Sequence, residues 1–389
     1  MKYTVQIFTG GWHNELYTKA EVLEQINQVT ALLDVKRVII GWNLNRDVYK
    51  AVREILTANI ELYLWFPVFS EIGEIKQMQV AADIWGNPIP AYQLQEGESF
   101  EFYCPTNAKN HEQILRVYDE QFAHIGFDGV FLDKIRSQSF IGGVRGIMSC
   151  GCPECEKWYS NAGIDFAEVK RIITESNCGN ALEIKSYSSS EGLVFAEPVM
   201  QGFIDEKQRL YQYHLARIVE EFRSRGLKIG MDVFFPFMSQ FVGQNIFQLM
   251  KLTDFIKPMM YRRTWAPAGV GFETQAMSEA LGTRRCSVAF SGNENGTCMD
   301  ETEFIDQLKP LVETLECDVA PGIEVNYDEK IVRTDGEYIK GSILAAGQAG
   351  CREVVLSWDL MKAPMKHIRQ ISREVEVENG RFIKNEKNP

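Results

Sequence analysis

The sequence predicts a (β/α)₈ barrel, and three observations point there. Short apolar, β-rich runs alternate with helical stretches along most of the chain, the pattern of a parallel sheet with helical crossovers. No GxGxxG turn follows the first run, which counts against the rival open, doubly wound sheet. Two connections are unusually long and both follow strands, which in a barrel puts both on the catalytic face.

The first strand is Tyr3–Phe8, followed by a helix over Glu21–Leu33. Lys36–Ile40 and a helix near Val48–Leu56 make the second unit, and Ile60–Phe66 with a helix over Asn110–His124 the third. Gly129–Leu132 is the fourth strand, with a long helix over Asp205–Arg223 after it. Lys228–Phe234 and Asn245–Leu252 form the fifth unit, Phe255–Met260 and Glu273–Ala280 the sixth. Ser287–Phe290 reads as an added strand or as the seventh. Gly322–Asn326 and Glu353–Ser357 close the set, with helices over Tyr338–Ala349 and Met365–Val375. One catalytic domain is thus expected over 1–375, with insertions at about 67–106 and 137–201 and a solvated tail at 376–389. Trp85, Tyr92, Phe100, Phe102 and Tyr103 argue against disorder in the first insertion.

Composition bounds the function. The 389 residues are 45% hydrophobic and 24% charged, ordinary for a globular protein with a large core. A net charge of −12, with no basic cluster, argues against nucleic acid as a partner. No apolar run reaches the length of about 18 residues that a membrane helix needs. Met1 to Trp12 reads as a strand rather than a signal peptide, so a cytoplasmic protein is expected, with a homo-oligomer possible. Nine cysteines in that compartment are expected to be thiols or metal ligands.

Three of them, Cys150, Cys152 and Cys155, fall within six residues. Zinc prefers four tetrahedral ligands, commonly thiolates. Cys104, in the Tyr-Cys-Pro segment at the end of the first insertion, is the candidate fourth, so a structural zinc would tie the two insertions together. The remaining cysteines, Cys178, Cys286, Cys298, Cys317 and Cys351, read as small buried apolar residues. A Tyr-Cys-Pro segment after the third strand and Cys-x-Cys-x-x-Cys after the fourth resemble the zinc site of the family 42 β-galactosidases. That family's Asn-Glu acid/base pair after the fourth strand has no counterpart here, so the resemblance implies the metal site and a glycosidase-type barrel, not galactosidase activity.

Carboxylates recur at strand ends. Gly126 to Arg136 places Asp133 at the end of an apolar strand with Arg136 three residues on. Asp232 follows Ile229-Gly-Met, Glu324 lies in Gly322-Ile-Glu-Val-Asn-Tyr, and Asp359 ends Val355-Leu-Ser-Trp-Asp. An acid in a desolvated barrel mouth is costly without a partner or a role; a cap or loop ion pair is the alternative, most evenly balanced for Asp359. Glycosidic cleavage needs two carboxyl groups, one to protonate the leaving oxygen and one as nucleophile or base. Asp133 is the expected charged partner, and Asp232 or Glu324 the acid. Trp12, Trp42, Trp65, Tyr261, Trp265, Tyr327 and Trp358 fall at or just after strands, where rings can lie against sugar C–H faces. His13, Asn43 and Asn326 add hydrogen-bonding groups.

The Gly129–Arg136, Asp254–Tyr261 and Ser357–Asp359 segments resemble uncharacterised glycoside-hydrolase-like barrel proteins, a likeness that spans most of the chain and implies the fold. A glycoside hydrolase acting on a small carbohydrate, with no organic cofactor, is therefore the expectation. Two rivals stand beside it. Lys257 shares the parity of Tyr261 and could form a Schiff base in a lyase or aldolase, unless it pairs with Asp232 or Asp133. The barrel could also bind sugar without turnover.

Overall fold

The computed structural model describes residues 1–70, 78–92, 100–175, 181–281 and 299–372. Eight parallel strands form the barrel: β1 (Lys2–Phe8), β2 (Val35–Gly41), β3 (Glu61–Pro67), β4 (Gly129–Asp133), β5 (Lys228–Phe234), β6 (Phe255–Met259), β7 (Gly322–Glu324) and β8 (Glu353–Ser357). Each pairs with its sequence neighbours, and β1 closes the circle on β8. The crossover helices include α1 (Lys19–Thr30), α2 (Arg46–Ile55), α3 (Ala108–Gln121), α4 (Pro198–Ser224), α5 (Ile246–Leu249), α6 (Glu301–Glu313) and α7 (Gly336–Gln348), and the expected helix after β6 is present over Val270–Leu281. A further helix runs over 365–372. None of the described helices is long and apolar enough to cross a membrane.

Period-two alternation sorts each strand into two faces. Tyr3, Val5 and Ile7 of β1, and Leu64 and Phe66 of β3, join the large core under the helices. Ile39, Tyr63, Trp65, Phe131, Phe255 and Val355 form a separate cluster inside the barrel. Below that cluster lies a polar plug. Arg37 Nε donates to Glu61 at 2.9 Å, Arg37 Nη1 pairs with Glu353 Oε1 at 2.5 Å, and the guanidinium lies 4.3 Å from the Phe255 ring centroid.

The helix starts carry their own signals. Thr18 and Glu21 form a capping box at α1, and Asn45, Asn107 and Asp335 cap α2, α3 and α7 through their side chains.

Three elements depart from the expected ones. The seventh strand begins earlier: Asp318–Val319 already pairs with the start of β6, and Pro321, which has no N–H, interrupts the run before β7. Helix α6 was not expected; its internal Pro310 reads as a breaker, while Asp300 and Glu303 supply a capping box at its start. The second insertion carries its own elements, helices at Pro153–Asn161 and Phe166–Glu175 and a hairpin of Ile184–Ser188 with Gly192–Phe195. Ser287–Phe290 lies outside the described residues, as do Cys178, Cys286, Cys298 and the tail.

Candidate active site and thiol cluster

A pocket opens at the C-terminal ends of the barrel strands, where (β/α)₈ enzymes carry their chemistry. It encloses about 560 Å³ including its mouth, and its walls include Gln6, Trp65, Phe100, Asp133, Lys134, Arg136, Asp232, Met259, Tyr261, Trp358 and the 266–268 segment. Asp133 and Asp232 therefore meet in one pocket. Strand parity explains it: Phe131 and Asp133 on β4, like Gly230 and Asp232 on β5, point into the barrel.

The two carboxylates live in different surroundings. Asp133 accepts two charge-assisted hydrogen bonds, from Trp65 Nε1 at 2.8 Å and from the Lys134 amide at 2.5 Å. Asp232 is nearly inaccessible, and burial raises its pKa to about 7; the Lys257 ammonium opposes that rise and the Asp133 charge adds to it. Lys257 Nζ lies 2.9 Å from Asp232 Oδ2, the pair facing each other across the β5–β6 register. The same nitrogen donates to Gln6 Oε1 at 2.8 Å. Asp232 Oδ1 is buried with no hydrogen-bond partner among the described residues. Room for Lys257 comes from Gly322, where a Cβ would sit 2.5 Å from Lys257 Cε.

Other expected residues are placed as follows. Arg136, Tyr261, Trp65 and Trp358 line the pocket. Arg136 is sandwiched between the Phe102 and Phe234 rings, 4.9 and 4.3 Å from their centroids. Trp42 sits deeper, in the barrel cluster, with Lys134 Nζ 4.8 Å from its ring centroid. Asn326 is buried and acts on the backbone: its Oδ1 accepts from the Trp358 and Asp359 amides at 2.9 and 3.1 Å, which orients the end of β8.

Glu324 is fully buried but is not part of the pocket wall. It accepts from the Arg263 amide at 2.5 Å, and burial raises its pKa. Asp359 also lies off the pocket, accepting from Tyr17 Oη at 2.8 Å and from the Met361 amide at 3.1 Å; burial raises its pKa to about 6. That is the capping role. Trp12 packs against Phe66 and Phe122 in the outer layer, and His13 is exposed away from the pocket. Asn43 is buried and donates to the Gly11 carbonyl. Arg262 and Arg263 turn toward α7, the first donating to Ser342 and the second pairing with Asp335. Trp265 and Tyr327 are largely exposed.

Sequence reasoning missed Gln6, Lys134, Phe100, Met259 and the 266–268 wall. That wall is held by buried Glu273, whose Oε1 accepts from the Ala268 amide at 2.9 Å. A polar residue in the middle of an apolar strand was the available signal for Gln6.

Elsewhere in the two insertions, Cys104 from the first meets Cys150, Cys152 and Cys155 from the second. All four are buried and free, and their Sγ atoms lie within 4.8 Å of one another. Cys104 Sγ is 3.5 Å from Cys152 Sγ and 3.7 Å from Cys155 Sγ. A tetrahedral ion with metal–sulfur bonds of about 2.3 Å sets its sulfurs about 3.8 Å apart. The four thiols are thus compatible with a structural metal site. The Ala82 amide, 3.4 Å from Cys150 Sγ, supplies a supporting hydrogen bond.

The sequence matches no family model and no curated protein. Solved structures do resemble it. The glycoside hydrolase domain of PgaB (BpsB) from Bordetella bronchiseptica is 12% identical, with 92% of this chain and 94% of that chain covered and a TM-score of 0.59. This likeness is one of fold. The spore cortex-lytic enzyme SleL of Bacillus megaterium QM B1551 (9% identity, 96% and 73% covered, TM-score 0.47) and Aspergillus fumigatus Ega3 in complex with galactosamine (9%, 93% and 92%, 0.40) superpose less well and carry no further weight.

Proposed function

We propose that the protein is a glycoside hydrolase, with Asp232 as general acid and Asp133 as its charged partner. The observation that carries the reading is the meeting of Asp133 and Asp232 in one pocket, with Asp232 the more deeply buried and its pKa raised by that burial. That contrast is what acid/base assignment on two carboxylates requires. Burial keeps a proton on Asp232 close to neutral pH, so it has one to give to the glycosidic oxygen. Asp133, fixed by Trp65 and the Lys134 amide, acts as the nucleophile or as the base for water. Trp65, Phe100, Tyr261 and Trp358 provide ring surface for the sugar. The fold shared with the PgaB glycoside hydrolase domain is consistent with the reading, and the side chains carry it.

Lys257, the amine of the rival Schiff-base reading, has no exposed surface and is held by Asp232 and Gln6. In this reading it is the counter-ion that keeps Asp232 from rising further. The metal of the thiol cluster is read as zinc: Cys104, Cys150, Cys152 and Cys155 would hold it, and as a four-thiolate ion it has structural chemistry only, fastening the two insertions to each other.

A panel of 4-nitrophenyl glycosides tests the proposal. Wild type is expected to release nitrophenol from at least one of them, and Asp133→Asn to reduce that turnover by about 10³-fold or more. Turnover that survives Asp133→Asn undamaged refutes the assignment.

A further inference from the structure

Gln6 sits in the middle of β1 with no exposed surface, yet it forms part of the pocket wall beside Asp232. Its amide is oriented by its neighbours. Lys257 Nζ, which can only donate, lies 2.8 Å from one terminal atom, and Ser357 Oγ lies 3.2 Å from the same atom. That atom must be the oxygen. Nε2 is left on the other side, buried and with no acceptor among the described residues. A buried donor left unmade is costly, so it calls for an acceptor. Asp133, Asp232 and the Tyr261 hydroxyl share the pocket wall with Gln6, and Nε2 is hydrogen-bonded to none of them.

We propose that Gln6 is a substrate-binding residue whose Nε2 donates to a hydroxyl oxygen of the sugar unit held at the pocket floor. This rests on the hydrolase reading of the same pocket. Gln6 lines the same pocket as Asp133 and Asp232, so a sugar held between the two carboxyl groups lies next to its side chain. That sugar presents hydroxyls. Lys257 then serves two atoms at once: it fixes the acid and it fixes which way the amide points.

The test uses the 4-nitrophenyl glycoside that wild type cleaves best, together with its monodeoxy forms. Gln6→Met keeps the length of the side chain and removes both donors. It is expected to lower kcat/KM about 10- to 100-fold on the complete glycoside and to match wild type on one monodeoxy form. Equal activity on the complete glycoside, or the same loss on every form, overturns the proposal and leaves the hydrolase reading standing. If wild type cleaves no glycoside, the hydrolase reading fails. The same sugars are then compared by ligand-induced shifts in Tm, where Gln6→Met must weaken the complete sugar and spare one deoxy form; no binding at all counts against both. Should Gln6→Met not fold, Gln6→Asn, which withdraws the amide by one methylene, is read in the same way.

Discussion

Asp232 and Lys257 occupy paired positions on neighbouring strands, so the carboxyl group and the ammonium face each other inside the barrel with almost no contact with water. Burying an ammonium is expensive, and Gln6 gives it a second acceptor. Because the Lys257 charge lowers the Asp232 pKa, Lys257→Met is expected to move the alkaline limb of kcat/KM upward from near pH 7. A pH–rate profile checks it. The same shift acts on stability. Asp232 titrates at 3.8 when unperturbed and at about 7 in the fold, so the fold favours its protonated form. That contribution is complete below about pH 4 and is lost as pH rises through about 7. Urea unfolding should therefore show wild type losing stability between pH 5 and pH 8 relative to Asp232→Asn, whose side chain does not titrate. At this scale the sequence was partly legible. The parity of β4, β5 and β6 turned Asp133, Asp232 and Lys257 inward, as alternation implies. Parity does not say how far a side chain sits from the axis, and Glu324 faces the Arg263 backbone instead of the pocket. Nor does it reach past a turn: after the Gly10–Gly11 bend, Trp12 points to the outer layer.

The elements owe their boundaries to caps and to local breaks. Asp300 accepts from the Glu303 amide at the start of α6, and the Glu303 carboxylate answers the Asp300 N–H. Asp300→Ala should destabilise the protein by about 1 kcal/mol, visible as a lower Tm with kcat/KM unchanged. This helix and β7 were hard to read because Pro310 and Pro321 each break a pattern that the fold continues around them. The insertions are bound to each other by more than the thiols. Besides the four thiols, Asp83 of the first insertion pairs with Arg145 of the second at 2.5 Å. The thiol set was legible because close spacing in one loop left a single vacant ligand position for Cys104. Purified protein should contain about one zinc per chain by elemental analysis. Cys152→Ser should remove it and expose the 137–201 insertion to proteolysis, whereas retention of full metal content would remove Cys152 from the ligand set.

The proposed chemistry and the charged plug lie at opposite ends of the barrel. The pocket end holds Asp133, Asp232, Gln6 and the aromatic wall. The opposite end holds Arg37, Glu61 and Glu353, with Lys36 and Lys228 outside them. Arg37→Met leaves Glu353 without its buried cationic partner, so a loss of about 3 kcal/mol is expected. Thermal unfolding measures that loss, and kcat/KM should not change, because the mouth is untouched. The eight-fold alternation that predicts this architecture is a property of the entire chain, which is why the fold was legible while single pocket residues such as Gln6 and Phe100 were not. Their place depends on which loops and strands meet, and that is fixed only on closure.

The proposed acid catalysis requires Asp232 to hold a proton near neutral pH. Its carboxyl ¹³C resonance, assigned by its absence in Asp232→Asn, reports that state directly when followed from pH 3 to pH 9. A midpoint near 7 that falls in Asp133→Asn, as the neighbouring negative charge is removed, is the expected result. A carboxylate already ionised by pH 5 would contradict it.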